Sequence, residues 1–319
     1  MAIAKILLYY GITPISDPEA IRLWQRELAN SLGLRGRIIV SHQGINGTVG
    51  GDLDAVKLYR RRTREYQAFA DIDFKWSEGT GLDEHGYSLD FPRLSVKVRP
   101  ELVSFGVPEA VHVGDRGVVG GGKHLSPEEV NALVAERGDE VAFFDGRNAW
   151  EARLGKFKDA VVPPVGTSHD FAAQISGGKF DHLKDRPVIT YCTGGVRCEF
   201  LSAMLLQQGF KEVYQIDGGI VRYGEKYGNN GLWEGSLAVF DGRELVDFGP
   251  DVKTISTCDS CGQPTSLLAN CGDDTCVRRF ICCPQCQQVK CPDHGLTKVR
   301  RAGEPSIADG AAASTGEPQ

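Results

Sequence analysis

Pro187-Val188-Ile189-Thr190-Tyr191 reads as an apolar strand, and it runs without a break into Cys192-Thr193-Gly194-Gly195-Val196-Arg197. A helical pattern over Glu199–Gln208 follows and stops at Gly209. Further strands read at Val141–Phe144 and Glu212–Ile216. Ser126, with Glu129 three residues on, is a capping-box signature ahead of Val130, Leu133 and Val134 on one helical face. Strands alternating with helices predict a parallel sheet covered by helices on both faces.

The glycines after Cys192 let the backbone curl so that successive N–H groups point inward. With the start of the next helix they form an anion nest. A thiolate held there has a pKa below the free value of about 8.5. Arg197 adds a fixed positive charge, and the same cradle suits a persulfide or a substrate oxyanion. An inert buried cysteine in a glycine turn would share these few letters, so the surroundings decide. Upstream stand Asp145-Gly146-Arg147, Glu151 and Gly155-Lys156-Phe157-Lys158-Asp159-Ala160; downstream stands Asp217-Gly218-Gly219. Together these resemble a rhodanese domain, with Asp145 and Arg147 supporting the loop. Many rhodaneses carry Gly-His-Ile-Pro-Gly-Ala where this chain has Gly155–Ala160, which makes thiosulfate:cyanide activity a weaker expectation. Phosphatases of similar design place Arg six residues after Cys, and here that position is Cys198. Cys198 reads either as a resolving thiol or as a small buried residue packing the helix start.

The first hundred residues have another pattern. Strands read at Lys5–Tyr10, Arg37–Ser41, Thr48–Gly50, Ile72–Trp76 and Leu94–Val98. Helices read from Asp17 to Leu32, with Ile21, Trp24, Leu28 and Leu32 at helical spacing, and from the cap Asp52 to about Gln67. The order βαββαβ is the ferredoxin-like split unit. The expected fold is therefore a multidomain mixture of α/β and α+β. It comprises a ferredoxin-like domain (1–100), a linker (101–122), a parallel α/β domain (123–232), a Cys-rich segment (233–296) and a disordered tail (297–319).

The chain has 319 residues, a net charge of -6 and ten cysteines. The apolar N-terminus is short and ends at Gly11-Ile12-Thr13-Pro14, so it reads as a strand, not a signal peptide. No stretch approaches the roughly 18 apolar residues of a membrane span. A cytoplasmic location is expected, where cysteines serve metal ligation or thiol chemistry before disulfides. Cys258-x₂-Cys261 and Cys283-x₂-Cys286 are two zinc-knuckle pairs, accompanied by Cys271, Cys276, Cys282, Cys291 and His294. Structural zinc is the preferred reading. Two ions, one ion with spare thiols, redox pairs and an iron–sulfur cluster all fit the spacing.

An acidic chain needs a local basic surface to bind nucleic acid. Arg60-Arg61-Arg62 and Arg64 read first as a solvated helix face; Arg35, Arg37, His42, Lys97, Arg99, Lys298, Arg300 and Arg301 are scattered. Tyr87, Phe91 and Trp233 are loop aromatics suited to stacking on splayed bases or to packing. The turn Ser41–Thr48 carries more polar side chains than a bare connection needs, which suggests substrate contact. Gly120-Gly121-Gly122 opens no Rossmann unit, and neither a flavin or NAD fingerprint nor an iron facial triad is visible.

Ser41–Thr48, Gly122-Lys123-His124-Leu125-Ser126-Pro127-Glu128-Glu129, Cys192–Glu199 and the Cys-rich segment, taken together over about residues 5–295, closely resemble the bacterial tRNA uridine(34) hydroxylase family. The resemblance implies an acylphosphatase-like first domain. It also implies oxygen-dependent conversion of the wobble uridine to 5-hydroxyuridine, with the anticodon region of tRNA as partner and molecular oxygen as co-substrate. Cys192 matches the family's catalytic cysteine, proposed to act as a persulfide, which brings in a sulfur donor protein as a further partner. A sulfurtransferase and a non-catalytic binding module are the competing readings, and the intact Cys192 and Arg197 speak against the second.

Overall fold

The computed structural model describes residues 3–115, 117–276 and 278–301. Alternation along β1 (Ala4–Ile12) sends Leu7 and Tyr9 into a core with Ile38, Val49, Val56 and Tyr59. Leu8 and Tyr10 therefore emerge on the opposite face. Helix α1 (Pro18–Ser31) begins where the Asp17 carboxylate accepts a hydrogen bond from the Ala20 N–H at 3.0 Å, with proline at the first helical position. After β2 (Arg35–Ser41) and β3 (Gly44–Asp52), Asp52 caps α2 (Leu53–Arg64) in the same way. Strands β4 (Asp73–Glu78) and β5 (Leu94–Val98) complete a sheet of order β4-β1-β3-β2-β5. Its first four strands are antiparallel neighbours and form the expected βαββαβ unit; β5 lies parallel to β2 at the edge. Both helices pack on the Leu7–Tyr9 face.

The second sheet contains β6 (Lys123–Leu125), β7 (Ala142–Asp145), β8 (Pro187–Tyr191) and β9 (Glu212–Ile216) in the order β6-β9-β8-β7, all parallel. Five helices accompany it: α3 (Pro127–Arg137), α4 (Ala149–Leu154), α5 (Asp170–Ser176), α6 (Val196–Gln207) and α7 (Gly219–Tyr227). Phe171, Leu201 and Leu205 of α5 and α6 fill one core; Val130, Ile220 and Tyr223 of α3 and α7 fill the other. Helices thus cover both faces, and all five residues of β8 are buried. The Ser126 capping box forms in both directions, at 3.2 and 2.8 Å. Segment 101–122 connects the two sheets but is packed, with Leu102, Val103, Phe105 and Val111 in the first of these cores. Trp233, Leu237 and Val239 lie in the second.

The Cys-rich region forms a four-stranded antiparallel sheet from β10 (Leu268–Cys271), β11 (Arg279–Ile281), β12 (Gln288–Cys291) and β13 (Gly295–Arg300), in the order β11-β10-β13-β12. This corrects one expectation. Residues 297–300, assigned to a disordered tail, are strand: Thr297 and Lys298 pair with Val289 and Gln288, and Val299 and Arg300 with Cys271 and Asn270. Residues 302–319 of that tail lie outside the described residues. The region docks on α4, where Asp259 pairs with Arg153 and the Arg279 guanidinium lies 5.4 Å from the Trp150 ring centroid. No helix among the described residues is long and apolar enough to cross a membrane.

Candidate active site

Cys192 follows the last residue of β8, at the carboxyl end of the parallel sheet, where open α/β sheets place their ligands. Gly195 takes φ +107°, outside the range comfortable for other residues, and starts α6 at Val196, three residues earlier than the helical pattern indicates. The Gly195 N–H consequently donates to Cys192 Sγ at 3.3 Å. Gly219 closes the loop from behind. A Cβ there would sit 2.5 Å from the Cys192 carbonyl oxygen, so only glycine lets the start of α7 donate Ile220 N–H to that oxygen at 2.9 Å.

Cys192 is 1% exposed, and this burial pushes its thiol pKa up. Hydrogen bonding from the Cys198 side chain, the Arg197 charge and the N–H groups of Cys198 and Gly195 outweigh it, bringing the thiol down to about 6. Cys198 moves the other way. Burial, then its hydrogen bond to Cys192, raise its pKa well above the ordinary thiol value, so it stays an S–H donor while its neighbour ionises. Arg197 does not hang free: it makes a two-pronged pair with Glu151 at 2.9 and 3.1 Å and reaches Thr193 Oγ1 at 3.2 Å. Burial would raise the Glu151 pKa, but the Arg197 charge holds it below the usual carboxylate range.

The roof of the site comes from the other sheet. Leu8 and Tyr10, on the face of β1 away from α1 and α2, descend onto Gly194 and Gly195; a Cβ at these glycines would meet Leu8 Cδ2 at 2.7 Å and Tyr10 Oη at 2.9 Å. The Tyr10 hydroxyl donates to Glu199 Oε1 at 2.9 Å, and Glu199 Oε2 meets Gln215 Nε2 at 3.2 Å and His124 Nε2 at 3.3 Å. Burial pushes the Glu199 pKa up, but His124 and its other partners hold it below the ordinary value, and His124 is raised in return. Arg243 adds a strap by bonding Ser77 and Glu78 of β4. Between roof and loop lies a cavity of about 770 Å³, lined by Cys192, Thr193, Gly194, Val196 and Arg197 below and by Leu8, Tyr10, Arg37, Ile39, Asn46 and Thr48 above. That volume lies in the range of small-molecule and cofactor sites.

Several sequence candidates fall elsewhere. Asp145 and Arg147 form a fully buried pair at 2.6 Å behind the loop; Arg147 also binds the Gly155 carbonyl at 2.7 Å, and Tyr191 donates to Asp145 at 2.8 Å. Trp233 is no base platform: it is 3% exposed, with the Arg147 guanidinium 5.1 Å from its ring centroid. Phe91 is buried at the edge of the cavity, and Tyr87 stacks under Arg35 at 4.3 Å. Arg60, Arg61, Arg62 and Arg64 ride on α2, on the sheet face away from the cavity, and Arg64 binds the Ile72 carbonyl at 2.6 Å. In the turn, Ser41, His42 and Gln43 serve the structure, Gln43 by accepting from Leu102 N–H at 2.9 Å; Asn46 and Thr48 reach the cavity. Lys298, Arg300 and Arg301 belong to the Cys-rich region, with Arg300 paired to Asp274 at 2.6 Å. Sequence reasoning missed Tyr10, His124 and Glu199 as a group, because nothing local links positions 189 residues apart.

Residues 4–102 match the model of the UPF0176 acylphosphatase-like domain, 126–226 the rhodanese-like domain, and 234–293 the rhodanase C-terminal domain. Fold and loop together thus define a rhodanese-domain protein. A "tRNA uridine(34) hydroxylase" of Corynebacterium efficiens is 60% identical over 287 residues, covering 90% of each chain. Proteins of the same name from Corynebacterium aurimucosum and Arthrobacter sp. are each 56% identical, over 98% and 92% of this chain and 98% and 99% of theirs. The chain belongs to the tRNA uridine(34) hydroxylase family.

Proposed function

We propose that this protein hydroxylates uridine 34 of tRNA to 5-hydroxyuridine, with molecular oxygen as co-substrate, an external two-electron donor that takes its second oxygen atom to water, and Cys192 as the reacting group. The observation that carries the reading is the placement of an ionisable Cys192 on the floor of a cavity whose roof is a sheet face that sets Arg37, Asn46 and Thr48 among Leu8, Tyr10 and Ile39. Single-stranded RNA is read by splaying bases out of the stack and holding the phosphates with cations. Arg37 is exposed on that face beside Thr48, and Lys97 stands across from Ile39 on the neighbouring strand. Both suit the backbone of an anticodon loop whose base enters the cavity. Asn46 and Thr48 offer the hydrogen bonds a uracil edge needs, and the loop N–H groups favour an anionic sulfur on Cys192. A persulfide there needs a sulfane-sulfur donor, for which a donor protein is the reading, and action on tRNA fits a cytoplasmic enzyme.

A sulfurtransferase is the second reading, because the N–H cradle around Cys192 suits a persulfide whatever the acceptor. Mass spectrometry of tRNA nucleosides from a strain lacking the protein separates the two, with complementation by wild type or Cys192→Ser under ¹⁸O₂. The hydroxylase reading expects 5-hydroxyuridine to return only with wild type and to carry the label. Unlabelled 5-hydroxyuridine would show that its oxygen atom does not come from molecular oxygen, against the hydroxylation as proposed. Unchanged 5-hydroxyuridine with loss of a thiolated nucleoside would establish the sulfurtransferase.

A further inference from the structure

Eight of the nine metal-ligand side chains in the Cys-rich region sort into two groups of four in space. Cys258, Cys261, Cys283 and Cys286 bring their Sγ atoms within 4.8 Å of one another. Cys271, Cys276, Cys291 and His294 do the same with three sulfurs and one imidazole nitrogen. Around a tetrahedral zinc with Zn–S bonds of about 2.3 Å, neighbouring sulfurs stand about 3.8 Å apart. Here Cys261 and Cys283 are 3.6 Å apart, and Cys276 and Cys291 are 3.9 Å apart. His294 Nδ1 is 3.6 Å from the sulfurs of both Cys271 and Cys291. These spacings suit four donors around a common ion and are far from the roughly 2.05 Å of a disulfide.

We infer that this region holds two separate structural zinc ions, one in a Cys₄ site and one in a Cys₃His site, with Cys282 outside both. Along the chain the pairs alternate: 258 and 261, then 271 and 276, then 283 and 286, then 291 and 294. First and third pairs share one site; second and fourth share the other. The pairs interleave, so the stretch of chain that closes each site contains one ligand pair of the other.

Three further observations fit bound metal. The region's own apolar core is small: besides cysteines, Ala269 and Val289 are buried in it, with Phe280 and Val299 partly so, while Leu268 and Ile281 bury outward against Leu154 and Ala238. Metal binding supplies folding free energy in small modules of this kind. Next, His294 turns its other nitrogen, Nε2, toward Asp273 Oδ2 at 3.7 Å, the outer carboxylate that orients a ligating histidine. Finally, a Cys₄ zinc site carries net negative charge, and the Arg301 guanidinium binds the carbonyls of Cys282, Cys283 and Cys286 at 2.9 to 3.1 Å beside it. Cys282 is fully buried, and its sulfur faces the Cys286 carbonyl at 3.4 Å instead of joining the tetrad.

The placement of the Cys₄ site connects it to the loop. Asp259, adjacent to Cys258, accepts from Ile281 N–H at 2.9 Å and pairs with Arg153 on α4, the helix whose Glu151 holds Arg197. The metal site thereby fixes the far end of the element that braces the Cys192 loop.

Elemental analysis of the full chain, combined with cobalt(II) substitution, tests the assignment. Two zinc ions per wild-type chain are expected, with cobalt d–d bands that sum an S₄ and an S₃N chromophore. Cys276→Ser should keep one ion and the S₄ bands, Cys261→Ser one ion and the S₃N bands, and Cys282→Ser both ions. One zinc or none per wild-type chain would overturn the inference, as would iron with acid-labile sulfide, disulfides in the mass spectrum or loss of metal from Cys282→Ser. His294→Cys should keep two ions and convert the S₃N bands to S₄; unchanged bands would remove His294 from the site. If a serine variant fails to fold, the wild-type stoichiometry and its two-component spectrum still decide.

Discussion

The Cys192 loop and the Cys258–His294 region both depend on sulfur, and they are stabilised in opposite ways. Cys192 sits in a scaffold that is complete without it, between two hydrophobic cores and above the buried Asp145–Arg147 pair. Its sulfur is surrounded by hydrogen-bond donors, an arrangement that lowers a pKa but contributes little to holding the chain together. The C-terminal region is the reverse, with two groups of candidate ligands and only a small apolar core of its own beside the Leu268 and Ile281 contact with α4. A reactive cysteine is one that the fold can lose; a structural cysteine is one that the fold cannot.

This contrast breaks most sharply under substitution. Cys192→Ser should lower hydroxylation by at least about 10³-fold, since it removes the proposed reacting group, while shifting urea-unfolding stability by no more than about 1 kcal/mol. A large stability loss would mean that the cysteine is structural after all. Chelation of the proposed zinc ions should do the opposite first. Circular dichroism and hydrogen exchange should show 254–301 opening while the parallel sheet stays protected; protection throughout 254–301 would make the region independent of metal.

Glu151→Ala probes the junction of the two regimes. It leaves the nearly buried Arg197 without its partner, for which a cost of about 3–5 kcal/mol in urea unfolding is expected. It should also slow the reaction, because Arg197 loses its fixed position beside Cys192. A variant of wild-type stability and rate would show that the pair does not brace the loop. Arg37→Ala should leave the fold intact, weaken tRNA binding several-fold and reduce the salt slope of binding by about one charge. An unchanged slope would place the RNA elsewhere. The smallest effect concerns pH. The thiolate is the deprotonated form, so alkylation of Cys192 by iodoacetamide, followed by peptide mass spectrometry, should rise as pH climbs through about 6. Cys198→Ala removes an S–H donor and should move that midpoint upward; a downward move would contradict the donor role.

Where the physics is local, the sequence is a sound guide. The caps at Asp17, Asp52 and Ser126, the buried strand Pro187–Tyr191 and the glycine turn after Cys192 each depend on residues within a few positions. The helix after the loop begins earlier than its apolar pattern, because a positive-φ glycine and not hydrophobic periodicity sets its start. Long-range pairings were not legible. Nothing in Tyr10 announces Glu199, and the spacing of nine ligands permits several groupings until strands β10–β13 fix one. Trp233, read as suited either to stacking or to packing, packs, because an aromatic near a loop looks the same in sequence whether it faces a base or Arg147.

The contact of Leu8 and Tyr10 with Gly194 and Gly195 bears on how such a protein can be rebuilt or diversified. The first domain and the parallel-sheet domain look like separable parts, yet the surface of one is moulded to bare backbone in the other. A side chain added at position 194 would have to be accompanied by a smaller residue at position 8. Graft designers and natural recombination face the same rule: an exchanged N-terminal domain must bring a matching β1, or the borrowed loop opens to bulk water.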